Sequence, residues 1–195
     1  MNKINIFKKV ELYIVSLSIL FAFVFILTVD VPIDFSKDAK FIGFNQLLKT
    51  NYMAILSLLF FILSIVFSWR FDNVIKGAPD TPSKIELIEN INFEHLTFLA
   101  TYVIPLISFD LSKPRFSIVL ILLLILIGVI YVKTHLFYSN PSLALLGYKI
   151  YRVNLKNSFR SEDSIIIITK DELFKDDLIE TMTLDIKIKF GRKSK

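Results

Sequence analysis

Glu94 and His95 are adjacent titratable side chains at the start of an apolar run. Ionisable groups at the mouth of a membrane span often mark a proton or ion path, and Thr97 and Thr101 follow Glu94 on one helical face. The spacing predicts a candidate polar track of Glu94, His95, Thr97 and Thr101. A structural role fits the same residues: charges at a span edge sit among headgroups at little cost, and an acidic residue in a first turn complements the helix dipole. Other chemistry is scarce. With no Cys there are no thiolate nucleophiles or Cys-based metal sites, and the two His, His95 and His135, are far apart. No nucleotide-binding glycine loop, G-x-S-x-G elbow, H-E-x-x-H or paired-carboxylate motif occurs. The expectation is a protein that is not an enzyme and needs no cofactor or metal.

The elements that must position these residues are four apolar runs in 195 residues, 12–29, 52–68, 93–109 and 116–132. Each approaches the length that a hydrocarbon core of roughly 30 Å demands of a helix rising about 1.5 Å per residue. A hydrophobic fraction of 54%, with 19 Phe against 5 Gly, also departs from a soluble domain. The pattern predicts a mainly α membrane protein: a four-helix transmembrane bundle over 1–147 and a small C-terminal antiparallel β domain over 148–195. The first run lacks a small-residue cleavage site and reads as a retained span rather than a signal peptide. Pro105 lies inside the third run, where a kink would free the Thr101 carbonyl, and this run fits either a span or a re-entrant or tilted interfacial segment. Lys3, Lys8 and Lys9 before the first span, and Lys133, Lys149, Arg152, Lys156 and Arg160 after the fourth, place both termini in the cytoplasm.

Two pieces are free to work in water. Ser83-Lys84-Ile85-Glu86 has capping-box form and predicts a short helix through Ile91. Asn140-Pro141 followed by Gly147 predicts another, with N-cap, Pro at the first position and Gly at the stop. From Tyr148 onward the period becomes that of strands: Tyr151, Val153 and Leu155; the run 165–168; then Leu184, Ile186, Ile188 and Phe190. Three strands in an antiparallel meander are expected, with a helical turn after the capping-box form Thr169-Lys170-Asp171-Glu172. Such a unit is too small to be comfortable alone and needs a neighbour: the inner loop, a second copy or a cytosolic protein. Tyr151, Val153, Leu184, Ile186 and Ile188 are the expected docking residues. The basic tail, Lys187, Lys189, Arg192, Lys193 and Lys195, suits anionic headgroups, and without an aromatic platform it does not predict direct nucleic-acid binding.

Three stretches, 27–35, 93–106 and 138–149, resemble the membrane-subunit family of the Kiwa anti-phage system (KwaA). The resemblance implies a bacterial inner-membrane component that senses infection at the envelope, self-associates as a homo-oligomer and works with a cytosolic DNA-binding effector protein of the same defence system. No functional residue is carried over from it. Combined with the spans and the marginal tail domain, it makes the expected function that of a non-enzymatic sensor and scaffold in contact with the lipid bilayer. The alternative is a small oligomeric ion channel or proton-coupled transporter centred on the Glu94–Thr101 track.

Overall fold

The computed structural model describes residues 6–30, 43–74, 82–111, 113–157, 161–185 and 187–194. Its helices are α1 (Ile6–Ser16), α2 (Ser18–Thr28), α3 (Phe44–Thr50), α4 (Tyr52–Val74), α5 (Phe93–Ser108), α6 (Pro114–Thr134) and α7 (Pro141–Leu145). The strands are β1 (Ser83–Asn90), β2 (Lys149–Lys156), β3 (Ser161–Thr169), β4 (Leu178–Asp185) and β5 (Ile188–Lys193).

Among the described residues two helices are long and apolar enough to cross a membrane, Tyr52–Arg70 and Pro114–Thr134. The first apolar run is not one straight helix. It breaks at Leu17, where α1 and α2 meet with a bend of 48°, and counts as a third span only if the pair is taken together. Serines flank the break. Ser16 Oγ donates to the Tyr13 carbonyl at 2.7 Å, Ser18 Oγ pairs with Ser142 Oγ at 2.7 Å, and the Tyr102 hydroxyl donates to the Ser16 carbonyl at 3.3 Å. Hydroxyls that compete for backbone groups bend helices, and here three side chains take up the polar atoms of the bend. Helix α5 has 16 residues, about 24 Å at 1.5 Å per residue, short of the roughly 30 Å core. It continues through Pro105 to Ser108. The four-helix bundle of full spans is thus realised in part.

Helix packing relies on buried serines and aromatic rings. Ser57 and Ser64 of α4 are both buried and donate to carbonyls of their own helix. At the crossing of α1 and α6, Gly128 faces Tyr13: a Cβ there would lie 2.7 Å from Tyr13 Cε1. The ring cannot easily retreat, because its hydroxyl donates to the Leu124 carbonyl at 2.5 Å and its face packs on Tyr131 with centroids 5.1 Å apart. Gly128→Ala is therefore expected to cost about 1–3 kcal/mol, measurable by thermal unfolding in detergent; an unchanged midpoint would mean that Tyr13 is free to move.

The strands form a closed barrel in the order β1-β2-β3-β5-β4, with β5 parallel to β3 and the other pairs antiparallel. Four sequence expectations are corrected here. Residues 83–90 are a strand, not a capped helix: Ile85 is fully buried inside the barrel, and a bulge between Ile85 and Leu87 resets the register so that Leu87 points out and Ile88 packs inward. The expected strand through 184–190 is two strands joined by a tight turn, with Asp185 opposite Ile188. The meander is a mixed barrel. No helical turn forms after Thr169; instead Thr169 Oγ1 accepts from the Asp171 N–H at 3.0 Å, and Asp177 Oδ2 accepts from the Phe174 N–H at 2.9 Å.

The barrel is thus built from 83–90 and 149–193, with α5, α6 and α7 inserted between its first two strands. Ile165 and Ile167 face the barrel interior while Ile166 and Ile168 pack beneath the helices with Leu12, Tyr131 and Phe137. Burial on both faces explains the unbroken isoleucine run. The strand order and the parallel β3–β5 pair have OB-barrel connectivity. OB barrels use strands 2 and 3 and the β1–β2 and β4–β5 loops to bind oligonucleotides and oligosaccharides. In this chain the outer side of those strands, at Ile150, Ile166 and Ile168, is covered by its own helices.

Candidate functional site at the helix–barrel junction

Three charged or titratable groups from distant parts of the chain meet where the barrel abuts the helices. Lys9 comes from the start of α1, Asp185 from the end of β4, and His135 from the left-handed residue (φ 59°) that closes α6. Lys9 Nζ lies 3.2 Å from Asp185 Oδ2, and His135 Nδ1 lies 2.7 Å from Lys9 Nζ and 2.5 Å from Asp185 Oδ2. The Lys9 and Asp185 side chains are 8% and 2% exposed, against 43% for His135. Nδ1 can accept from Lys9 or donate to Asp185, but not both at once. The ring's proton position therefore selects which buried charge it holds. A buried ion pair of this kind is costly to break because either charge left alone is stranded in a low-dielectric site.

A second set joins α5 to the barrel. His95 is 4% exposed, and its Nδ1 accepts from the Asn140 N–H at 3.1 Å. Asn140 is fully buried; its Oδ1 accepts from the N–H groups of Ser142 and Leu143, capping α7 as the sequence predicts, and its Nδ2 donates to the Leu12 carbonyl at 3.2 Å. Ser139 Oγ donates to the Glu94 carbonyl at 2.6 Å, and Asn92 Oδ1 accepts from the Ile150 N–H at 2.6 Å, the first bond into β2. The Glu94 carboxylate lies 3.5 Å from Arg152 Nη2, and Arg152 also holds Glu89 at 2.7 Å. Burial, and after it the charge of Glu94, push the Tyr138 hydroxyl up to about 12.

The predicted track is distributed over two sides of α5. His95 faces the buried side with Phe98 and Tyr102, while Thr97 and Thr101 are exposed and donate to the carbonyls of Phe93 and Phe98. Of the expected docking residues, Tyr151 and Val153 are inside the barrel, and Leu184 and Ile188 lie under the helices. All four are buried, the first two by closure of the barrel and the last two by the helices packed on it; Ile186 lies outside the described residues. The basic tail is largely neutralised, because Lys189 pairs with Glu162, Arg192 with Glu180 and Lys193 with Asp177. No group of three or more potential metal ligands occurs among the described residues. Sequence reasoning missed the Lys9–His135–Asp185 contact, since each residue has an ordinary local explanation and nothing in one sequence links them.

Ion pairs on the barrel surface set its response to acid. The hydrogen bond from Lys84 holds Asp176 below its usual 3.8, and those from Lys193 and from the Phe174 N–H do the same for Asp177. Carboxylates depressed in the folded state stabilise it fully above the unfolded value and lose that effect as pH falls through the folded one. The loop before β4 is thus expected to loosen below about pH 3.8, seen as faster amide exchange at 174–178. Asp177→Asn should flatten that dependence, and exchange in the intact chain that does not vary with pH, after correction for intrinsic rates, would refute the assignment.

Two helices long and apolar enough to cross a membrane, one of which (α6) is held at its end to a closed barrel through His135 and Asp185, are consistent with a membrane-associated protein. The chain belongs to the KwaA family. The model of that family, Anti-phage protein KwaA, matches residues 8–189. The chain is 39% identical over 190 residues to Kiwa protein KwaA of Escherichia coli O55:H7 (strain RM12579 / EPEC), a match covering 97% of each. No solved structure matches.

Proposed function

We propose that this protein is a non-enzymatic sensor and scaffold subunit of a Kiwa-type anti-phage system. In this reading it is a multi-pass protein of the bacterial inner membrane with both termini in the cytoplasm, self-associates, and recruits or regulates a cytosolic DNA-binding effector through its barrel. The observation that carries it is the buried Lys9–Asp185–His135 contact. It ties the start of α1 and the end of α6 directly to β4, so a repacking of the apolar helices must either move the barrel or break a buried ion pair. That is the physical requirement for coupling a membrane event to a partner that favours one of two packings. The name of the Escherichia coli relative supports the assignment to a defence system. Leu87, Phe174 and Leu178, each more than half exposed on the barrel, are the apolar side chains a partner can reach.

The test is a pull-down of the tagged full chain from its native host beside the variant Leu87→Asp/Phe174→Asp/Leu178→Asp. Deleting 148–195 is a poorer control, because it would strand β1 and uncover the undersides of the helices. A stoichiometric DNA-binding protein captured by the intact chain and lost from the variant supports the reading. Capture of no such protein by the intact chain sinks it.

A further inference from the structure

From the charges left over at the junction we infer that the barrel itself helps to bind anionic phospholipid headgroups, through a cluster of Lys8, Lys133 and Lys187. The three lysines stand within two residues of Lys9, His135 and Asp185, whose side chains touch, so the buried contact brings three distant stretches of chain to one place. All three are exposed, and among the described residues none has an ion pair to a carboxylate. Elsewhere on the barrel, Lys189, Arg192 and Lys193 of the basic tail each have an acidic partner. Within the tail, Lys187 beside the junction differs from these three in having no such partner among the described residues.

Depth points to the same ligand. Lys8 lies in the first turn of α1 and Lys133 in the last turn of α6, the level at which an apolar helix meets headgroups. Lys187 occupies the tight turn between β4 and β5, two residues beyond Asp185. The Asp185–Lys9 pair fixes that turn at the same level. Positive charge near an anionic leaflet is attracted to phosphate, and this set spans two helix ends and the barrel. Occupancy by phosphatidylglycerol therefore binds barrel and membrane together. The inference rests on the reading of α6 as a membrane span.

The experiment uses the full chain reconstituted in mixed phosphatidylcholine and phosphatidylglycerol bilayers, with spin-labelled forms of each lipid. Electron spin resonance reads the ratio of their association with the protein. The intact chain is expected to prefer phosphatidylglycerol at low salt by roughly fivefold per engaged lysine. K187Q should lower the preference several-fold, and K8Q/K133Q/K187Q should bring it near unity. K175Q, an equal charge change away from the junction, should leave it intact. Loss in K175Q equal to that in K187Q, or no change in K187Q, overturns the cluster. Carbonate extraction separates the underlying reading: a chain released from membranes refutes the span itself, whereas a retained chain with no lipid preference refutes only the headgroup site.

Discussion

Replacing Asp185 with Asn is expected to destabilise the protein by about 3–5 kcal/mol, the cost of leaving a buried charge without its counter-ion. The stranded group is Lys9, whose side chain is 8% exposed. Asn still offers an oxygen to accept a hydrogen bond, so the loss isolates charge from hydrogen bonding. Lys9→Met should be milder, because Asp185 keeps His135 at 2.5 Å. The double variant Lys9→Met/Asp185→Leu should recover most of the stability, since a well-packed apolar pair often matches or exceeds a buried ion pair. Thermal unfolding in detergent gives the energies, and amide exchange in α1, α6 and β4 gives their location. If Asp185→Asn stays within about 1 kcal/mol of the parent, well under the cost expected of a stranded buried charge, the junction is not held by charge. The proposed coupling between helices and barrel would then lose its physical basis.

Asn140→Ala is the second large effect, about 2–4 kcal/mol. Two contributions combine: loss of the cap on α7, about 0.5–2 kcal/mol, and loss of the amide donor to the buried Leu12 carbonyl, about 1–3 kcal/mol for an unsatisfied group. The contact to His95 survives, because it comes from the backbone N–H. Tyr131, whose hydroxyl is 3.5 Å from the same Leu12 carbonyl, offsets part of the second contribution. Asn140→Ser separates the two, keeping a neutral capping oxygen while removing the amide that reaches the Leu12 carbonyl. It should lie between Ala and the parent in midpoint, and a Ser variant as unstable as Ala would assign the whole effect to the Leu12 contact.

Several features were legible in the sequence because they depend on neighbours along the chain. The apolar runs at 52–68 and 116–132 appear as α4 and α6, since spanning length and lack of charge are properties of a single segment. Asn140-Pro141 and Gly147 bracket a short helix, with Gly147 at φ 83°, because caps are satisfied within a few residues. The isoleucine run at 165–168 reads as a strand because β-branched composition is also local, while its burial on both faces came from the fold.

Tertiary structure decided the rest. Ser83–Glu86 carries a local helix-start signal, but Ile85 gains complete burial and β1 gains a partner only in the β2 register, and long-range pairing outweighs a weak cap. The bend at Leu17 needs the hydroxyls of Tyr102 and Ser142, which come from other helices. Lys9 and His135 are 126 residues apart, and His135 and Asp185 are 50 apart; chain folding alone makes them neighbours. By itself the sequence determined which segments avoid water and where the short helix between Asn140 and Gly147 starts and stops. The closing of the barrel, the covering of its second and third strands, and the burial of one ion pair at its seam with the helices were decided by the fold, because each requires surfaces that exist only after distant segments have met.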